Sequence, residues 1–155
     1  MILSSFLGLV LLAQAAAASP EQFFVGRTQG EGTVRVMLSG SHAVRVHSRG
    51  RMDAVGALVL DQRVEEEGKP ARDRRWRLVR AGPNRITGTL SDARGPVTGD
   101  IDGNVLHLRY RSREGPSVEQ WITFQPGGRT ASNRMTFKRF GLTVATVDEV
   151  IRRAD

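Results

Sequence analysis

Apolar and polar residues alternate along most of the chain from residue 33 onward, and Gly, Pro and Asn residues interrupt the alternation at short intervals. A period of two is typical of β-strands that bury one face. No window has convincing helical periodicity. The pattern predicts about ten strands, at 33–38, 42–51, 58–66, 74–80, 85–90, 96–101, 105–112, 118–125, 132–139 and 142–151.

Short turns separate the predicted strands. Asp102-Gly103-Asn104 carries the clearest tight-turn signal, and Gly127-Gly128 marks a second hairpin. Successive hairpins give an antiparallel up-and-down meander, and closing that meander removes the edges that would otherwise aggregate. We therefore expect an all-β barrel of about 8–10 strands, with an open or half-closed curled sheet as the fallback.

The more apolar face of each strand predicts the barrel interior. That face comprises Val34, Val36, Leu38, Val44, Val46, Leu58, Leu60, Trp76, Leu78, Ile86, Leu90, Leu106, Leu108, Tyr110, Ile122, Phe124, Met135, Phe137 and Val144. By parity Gln62, Gln120 and Asn133 share it. A few polar groups among many apolar ones would orient an amphiphile, although the same groups could simply lie in water at the barrel mouth. Both interpretations stay open, and the candidate lumen residues are Trp76, Leu106, Leu108, Tyr110, Gln120, Phe124, Asn133 and Phe137.

The first eighteen residues have the composition of a secretory signal. An apolar run from Ile2 to Ala13 precedes Ala15–Ala18, which are the small residues that a signal peptidase requires. We expect cleavage after Ala18, a single domain over residues 19–155 and a periplasmic location. An uncleaved membrane anchor is the alternative, because only the amino terminus places positive charge before the apolar run.

The chain has 21 Arg and 2 Lys against 16 acidic residues, a net charge of +7. Such a balance attracts anionic surfaces. Arg75, Arg77, Arg109 and Arg111 recur with period two and suggest a basic strip on the outer face that meets lipid phosphates; a solubilising exterior paired with acids is the favoured alternative. We expect no nucleic-acid partner, since Trp76 and Tyr110 point away from these bases.

Motifs for covalent chemistry are weak. His42 and His47 lie five residues apart and would point to opposite faces of one strand, and His107 falls on an arginine-bearing face. Ser41 precedes His42, but no acid is positioned to orient them and the motif Gly-x-Ser-x-Gly is absent. The sequence thus predicts no enzyme, no metal and no cofactor.

Several segments together resemble an uncharacterised family, a domain of unknown function, of small exported and often lipid-anchored proteins of Gram-negative bacteria. They are Phe24-x-Gly26-x-Thr28-x-Gly30-x-Gly32, Arg74-Arg75-Trp76-Arg77, Val118-Glu119-Gln120-Trp121, Asn133-Arg134-Met135-Thr136 and Lys138-Arg139-Phe140-Gly141. The resemblance implies a lipocalin-like (calycin) barrel, frequent association with fatty-acid-modifying enzymes, and no established activity. This chain lacks the cysteine that carries the lipid in anchored members.

By analogy with lipocalin-like folds, the stretch from Phe23 to Gly32 is predicted to close one end of the barrel. Phe23 or Phe24 would plug that end, Arg139 from a late strand would pack on the plug, and Gly26 with the following glycines would let the first strand bend.

Two functions fit these observations. The first is a non-catalytic periplasmic barrel that binds a hydrophobic or fatty-acyl ligand in its lumen. The second is a structural or interaction barrel with a filled lumen, whose arginine-rich exterior contacts an anionic membrane or an envelope partner. The sequence indicates neither the ligand nor the oligomeric state.

Overall fold

The computed structural model describes residues 19–155, which form one short helix and ten antiparallel strands. The predicted signal segment, residues 1–18, lies outside the described residues. The elements are α1 (Pro20–Phe24), β1 (Gly26–Val36), β2 (Gly40–Met52), β3 (Leu58–Glu66), β4 (Arg72–Gly82), β5 (Arg85–Leu90), β6 (Ala93–Asp102), β7 (Val105–Ser112), β8 (Ser117–Phe124), β9 (Thr130–Arg139) and β10 (Leu142–Arg153). The all-β prediction is confirmed.

Each strand pairs with its neighbours in sequence, and β1 pairs with β10, so the sheet is a closed barrel. The closing ladder is antiparallel and runs from Thr28 opposite Arg153 to Val36 opposite Ala145. Since every strand in residues 19–155 has two partners, none of these strands leaves an edge to pair with another chain. The predicted meander, its closure and its strand number are all confirmed. No helix in residues 19–155 is long and apolar enough to cross a membrane.

The beginning of the domain differs from the expectation. β1 starts at Gly26 rather than at residue 33, so the glycine-rich stretch is itself strand. The residues before it form α1, which the strand pattern did not predict. The local signal is a capping box, in which the Ser19 hydroxyl accepts from the Gln22 amide and the Gln22 side chain accepts from the Ser19 amide, with Pro20 in the first turn.

The helix α1 places an aromatic plug at one end of the barrel. Phe23 is fully buried and Phe24 nearly so, and their rings pack on each other and on Phe124 with centroid separations of 5.0, 5.2 and 6.1 Å. Gly50 of β2 leaves room for the carbonyl group of Phe24, which a side chain at that position would strike. We call this the closed end.

The arginine on the plug is Arg153, not Arg139. One terminal nitrogen of Arg153 donates to the carbonyl oxygens of Gln22 and Phe23, at 2.9 and 2.6 Å. Arg139 ends β9 at the opposite end of the barrel, where it donates to the carbonyl oxygen of Glu114. The prediction of Arg139 was wrong because the chain reverses direction between β9 and β10, so the end of β10 reaches the plug.

The face that β10 presents to the lumen also differs from the expectation. A bulge between Thr143 and Ala145 shifts the register against β9. Beyond it Val147, Glu149 and Ile151 are buried, whereas Val144, predicted to face inward, is half-buried in the bulge itself. One extra residue exchanges the two faces of a strand, so the prediction failed at this point.

The end opposite the plug is bordered by five hairpin turns, and we call it the mouth. The turns lie at residues 37–39, 67–71, 91–92, 113–116 and 140–141. Leu38 belongs to the first turn and is fully exposed rather than interior.

The plug yields the first prediction. Phe23→Ala should lower the free energy of unfolding by about 3–5 kcal/mol, because it removes a fully buried aromatic ring from the barrel floor. Val55→Ala is the control: Val55 is 76% exposed in a turn at the same end, and its loss should change stability by less than about 0.5 kcal/mol. Denaturant unfolding followed by circular dichroism measures both, with Phe23→Leu as the milder variant. Equal stability of all variants would contradict the plug.

Candidate ligand site in the barrel lumen

Polar side chains interrupt the apolar lining of the lumen. Thr28, Ser48, Gln120, Asn133 and Glu149 are buried, and Gln62 and Arg74 on the same inward face are half-buried. A buried polar group is costly unless it is hydrogen-bonded. Polar side chains buried inside the barrel therefore mark a candidate site.

Arg74 is held from one side by β3 and β4. Its Nε donates to Gln62 Oε1 at 2.8 Å, and Trp76 Nε1 donates to the same oxygen at 2.8 Å. Gln62 Nε2 donates in turn to Ser48 Oγ at 3.0 Å. The Arg74 guanidinium also lies over the Trp76 ring, 5.6 Å from its centroid. These contacts fix the side chain through Nε and the guanidinium face, and they leave its two terminal nitrogens directed elsewhere.

No carboxylate within residues 19–155 approaches the Arg74 guanidinium to within 4.0 Å, and its terminal nitrogens make no hydrogen bond there. An unpaired cation inside a barrel is unusual, since desolvating a charge is expensive without a partner. Trp76 packs edge-to-face on Tyr110, 5.5 Å away across the lumen. Burial raises the pKa of the Tyr110 hydroxyl, and the positive charge of Arg74 acts in the opposite direction.

Glu149 is a buried acid on the inward face of β10. Its Oε1 accepts from Asn133 Nδ2 at 2.9 Å, and its carboxyl group occupies space that the lack of a side chain at Gly30 provides. Burial raises the pKa of Glu149, although the Asn133 hydrogen bond and the charge of Arg74 oppose the rise. Burial therefore makes Glu149 harder to ionise than an exposed carboxyl group.

Three further polar atoms in the lumen have no partner among the described residues. They are Thr28 Oγ1, Gln120 Oε1 and Asn133 Oδ1. Acceptors in a protein core are normally hydrogen-bonded, because each unpaired acceptor costs the desolvation of a polar group. They are available to a hydroxyl or amine donor of a bound molecule.

The structure places most predicted lumen residues on the inward face, though not all at one site. Trp76, Leu106, Leu108, Tyr110, Gln120 and Asn133 are buried there. Phe124 belongs to the plug, and Phe137 is half-buried near the mouth. Whether these residues bind a ligand stays a prediction.

The sequence interpretation missed Thr28, Ser48, Arg74 and Glu149. Parity could have found Arg74, which lies two residues before the inward Trp76, and Ser48, which lies two residues after Val46. Thr28 was hidden because the strand was expected to start later, and Glu149 because of the β10 bulge.

The four arginines predicted to form an outer strip do not lie together. Arg75 and Arg77 are on β4, whereas Arg109 and Arg111 are on β7, with β5 and β6 between them. Three of the four pair with acids: Arg75 with Asp61 at 2.6 Å, Arg77 with Asp53 at 3.1 Å and Arg109 with Asp100 at 3.0 Å. Ion pairs with scattered acids therefore account for three of the four arginines, as the alternative of a solubilising exterior predicted.

Two histidines lie on the outer face beside acids. His47 Nε2 is 3.2 Å from Glu65, and His107 Nε2 is 2.8 Å from Glu119, with the His107 ring stacked on Trp121. His42, at the mouth, contacts Glu66 at 3.2 Å. Within residues 19–155 no group of three potential metal ligands clusters.

Residues 12–153 match the family described as "Protein of unknown function (DUF3833)". The match spans nearly the whole chain. The chain belongs to this family. The resemblance to an uncharacterised family is thereby confirmed, and the export expected from that resemblance stays a prediction. No curated protein is similar enough in sequence to match the chain.

Solved structures share the barrel of this DUF3833 member at low sequence identity. An S-type phycobiliprotein lyase, CPES, from Guillardia theta superposes with a TM-score of 0.67 at 10% identity, over 89% of this chain and 94% of the lyase. Rv2717c from M. tuberculosis superposes with a TM-score of 0.68 at 13% identity, over 88% and 99% of the two chains. These likenesses establish a lipocalin-like barrel.

The prediction that the protein is not an enzyme, which was drawn from the lack of catalytic motifs, is wrong as an inference. A protein named as a lyase has the same barrel. Fold and the lack of a familiar catalytic motif therefore do not exclude catalysis in this family member.

Glu149 yields the second prediction. A carboxyl group whose pKa is raised by folding contributes stability that is present below its unfolded pKa, about 4.3, and lost as pH rises through its folded pKa. Glu149→Gln should remove that loss, so the variant should gain stability relative to the wild type as pH rises and show the smallest difference in acid. Denaturant unfolding at a series of pH values measures the difference. Glu31→Gln, on the outer face, controls for removal of an exposed carboxylate, and an identical trend in the two variants would contradict a buried Glu149.

Proposed function

We propose that the protein binds an amphipathic small molecule with an anionic head group in the half of the lumen next to the mouth. The observation that carries this proposal is Arg74, a half-buried lumenal cation with no carboxylate partner among the described residues. A carboxylate or phosphate would supply the missing charge and accept from both terminal nitrogens of the guanidinium. A hydrocarbon chain of fatty-acyl type is the matching tail.

The lining on both sides of Arg74 supports this class of ligand. Trp76 and Tyr110, packed edge-to-face, offer apolar surface, and the unpaired oxygens of Gln120 and Asn133 offer acceptors for a hydroxyl or amine group. Near the closed end Phe23 and Phe24 of the plug pack on Phe124. The ligand tail would therefore have to lie above the plug.

A periplasmic location is part of the same proposal, since an envelope protein meets fatty acids and lipid fragments. It derives from the signal-like segment alone. Cell fractionation with antibody detection tests it, and recovery of the protein with cytoplasmic markers would contradict it.

The third prediction tests Arg74 with a matched neighbour. Arg74→Gln should weaken binding of a long-chain fatty acid by about 10- to 100-fold, because a charge-assisted hydrogen bond contributes about 1.5–3 kcal/mol. Arg75→Gln changes the next residue, which faces outward to Asp61, and should leave the affinity unchanged. Titration calorimetry with palmitate measures binding.

The fatty alcohol of the same chain length provides a second control. It lacks the charge, so both variants and the wild type should bind it equally. Equal loss of palmitate binding in both variants, or no binding of either amphiphile by the wild type, would contradict the proposal and favour the alternative of a filled, structural barrel.

A further inference from the structure

Large apolar side chains are exposed to solvent at the mouth of the barrel. Leu38 and Phe140 are fully exposed, and Met37 and Leu142 are 59% and 71% exposed. A hydrogen bond of 3.0 Å from the Met37 amide to the Val144 carbonyl oxygen joins the β1–β2 hairpin to β10. The four residues thus lie on adjoining hairpins, and we call them the apolar rim. Exposed apolar residues gathered in one place commonly mark an interaction surface.

The backbone conformation of the apolar rim indicates that these side chains do not serve the stability of the fold. Among residues 19–155 two residues other than glycine have positive φ, Leu38 at 67° and Phe140 at 52°. They are also the two most exposed large apolar residues. Phe140 and Gly141, both with positive φ, form the two-residue turn between the paired Arg139 and Leu142, a turn that favours Asn or Gly. Each position thus carries a side chain that suits neither the turn nor the solvent, which points to a role outside the fold.

Four guanidinium groups surround the neighbouring β7–β8 turn, and we call them the cationic cluster. Arg139 donates to the Glu114 carbonyl oxygen at 2.8 Å and Arg111 to that of Gly115 at 3.4 Å. Arg94 donates to the Arg113 carbonyl oxygen at 3.4 Å, and Arg113 itself donates to that of Ser91 at 2.9 Å. All four residues are exposed.

The cationic cluster differs from the paired arginines on the barrel wall. Among the described residues, none of its four members lies within 4.0 Å of a carboxylate. Asp92, the acid in the β5–β6 turn, is engaged by Arg72 at 3.5 Å, and the side chain of Glu114 is exposed beside the cluster. Positive charge therefore accumulates next to the apolar rim. Across the mouth from the cluster, Glu65 and Glu66 end β3 and Glu67 begins the next turn, and Glu66 pairs with Lys69 at 2.8 Å, so the two sides of the mouth differ in charge.

We propose that the protein docks its mouth on an anionic lipid bilayer, with Leu38 and Phe140 inserted among the lipids and the cationic cluster on the phosphates. Guanidinium groups pair with phosphate oxygens, and a basic surface is attracted to anionic lipid by about 1 kcal/mol per residue, or about fivefold in affinity. Self-association of two copies through the apolar rim is the alternative occupant, and the oligomeric state distinguishes it from lipid binding. This inference does not depend on a lumen ligand.

The test uses a double variant that the turn chemistry should tolerate. Asn accepts positive φ more readily than Leu or Phe, so L38N/F140N should keep or raise the midpoint of thermal unfolding. The same variant should bind vesicles about 100-fold more weakly, about tenfold for each apolar side chain that no longer leaves water. The probe is a vesicle of equal parts phosphatidylcholine and phosphatidylglycerol, and sedimentation of protein with vesicles measures binding. Val55→Asn, an exposed apolar residue at the closed end, is the matched control and should bind as the wild type does.

A second variant separates charge from apolar insertion. R113Q/R139Q should weaken binding to the mixed vesicles by about 25-fold and should hardly change the weak binding to pure phosphatidylcholine. The corresponding control, R75Q/R77Q, removes two arginines of the wall and should have a smaller effect. Failure of the wild type to bind the mixed vesicles, or equal binding by L38N/F140N, would overturn the proposal. A dimer in size-exclusion chromatography that L38N/F140N dissociates, without vesicle binding, would overturn it in favour of self-association.

Discussion

The pairing of β1 with β10 is the constraint on which the rest of the structure depends. It joins the two ends of the described domain along a ladder from Thr28 to Val36, and it turns a long meander into a surface with an inside and an outside. The glycines of β1 allow this close approach: a side chain at Gly32 would strike the carbonyl oxygen of Asp148, and one at Gly30 would strike the carboxyl group of Glu149. The glycine-rich stretch is therefore part of the closure and also makes room for the lumenal acid.

The two ends of the closed barrel differ in structure. At the closed end α1 supplies two aromatic rings, and the Arg153 guanidinium and an ion pair between Arg80 and Glu21, 2.7 Å apart, hold the helix in place. The Arg80 contact lowers the pKa of Glu21, as expected for a carboxylate stabilised by a cation. At the mouth hairpin turns alone border the lumen within the described residues. Access for a small molecule is therefore to be sought at the mouth.

Most of the fold could be predicted from the sequence because alternation with period two is a local signal that survives in every strand. The predictions drawn from this alternation failed only at local irregularities. The bulge near Thr143 exchanged the faces of β10, so Glu149 was overlooked, and the brief helix at Pro20 was too short to show a helical period although its capping box was legible. Arg153 could not have been chosen over Arg139, because strand direction relative to the plug is a property of the closed topology. Arg74 could have been chosen, since it shares the face of Trp76.

The departures from ordinary packing concentrate in the mouth half of the barrel. Arg74 has no carboxylate partner within residues 19–155, and Leu38 and Phe140 occupy backbone conformations that suit other residues. A sequence consistent at every level tends to deviate where function demands it, so deviations of two unrelated kinds around one opening support each other. A cation held inside the mouth recognises an anionic head group, and an apolar rim beside arginines recognises the surface on which anionic amphiphiles reside. The two proposals thus agree on the direction from which a ligand would reach the lumen, although each stands on separate residues.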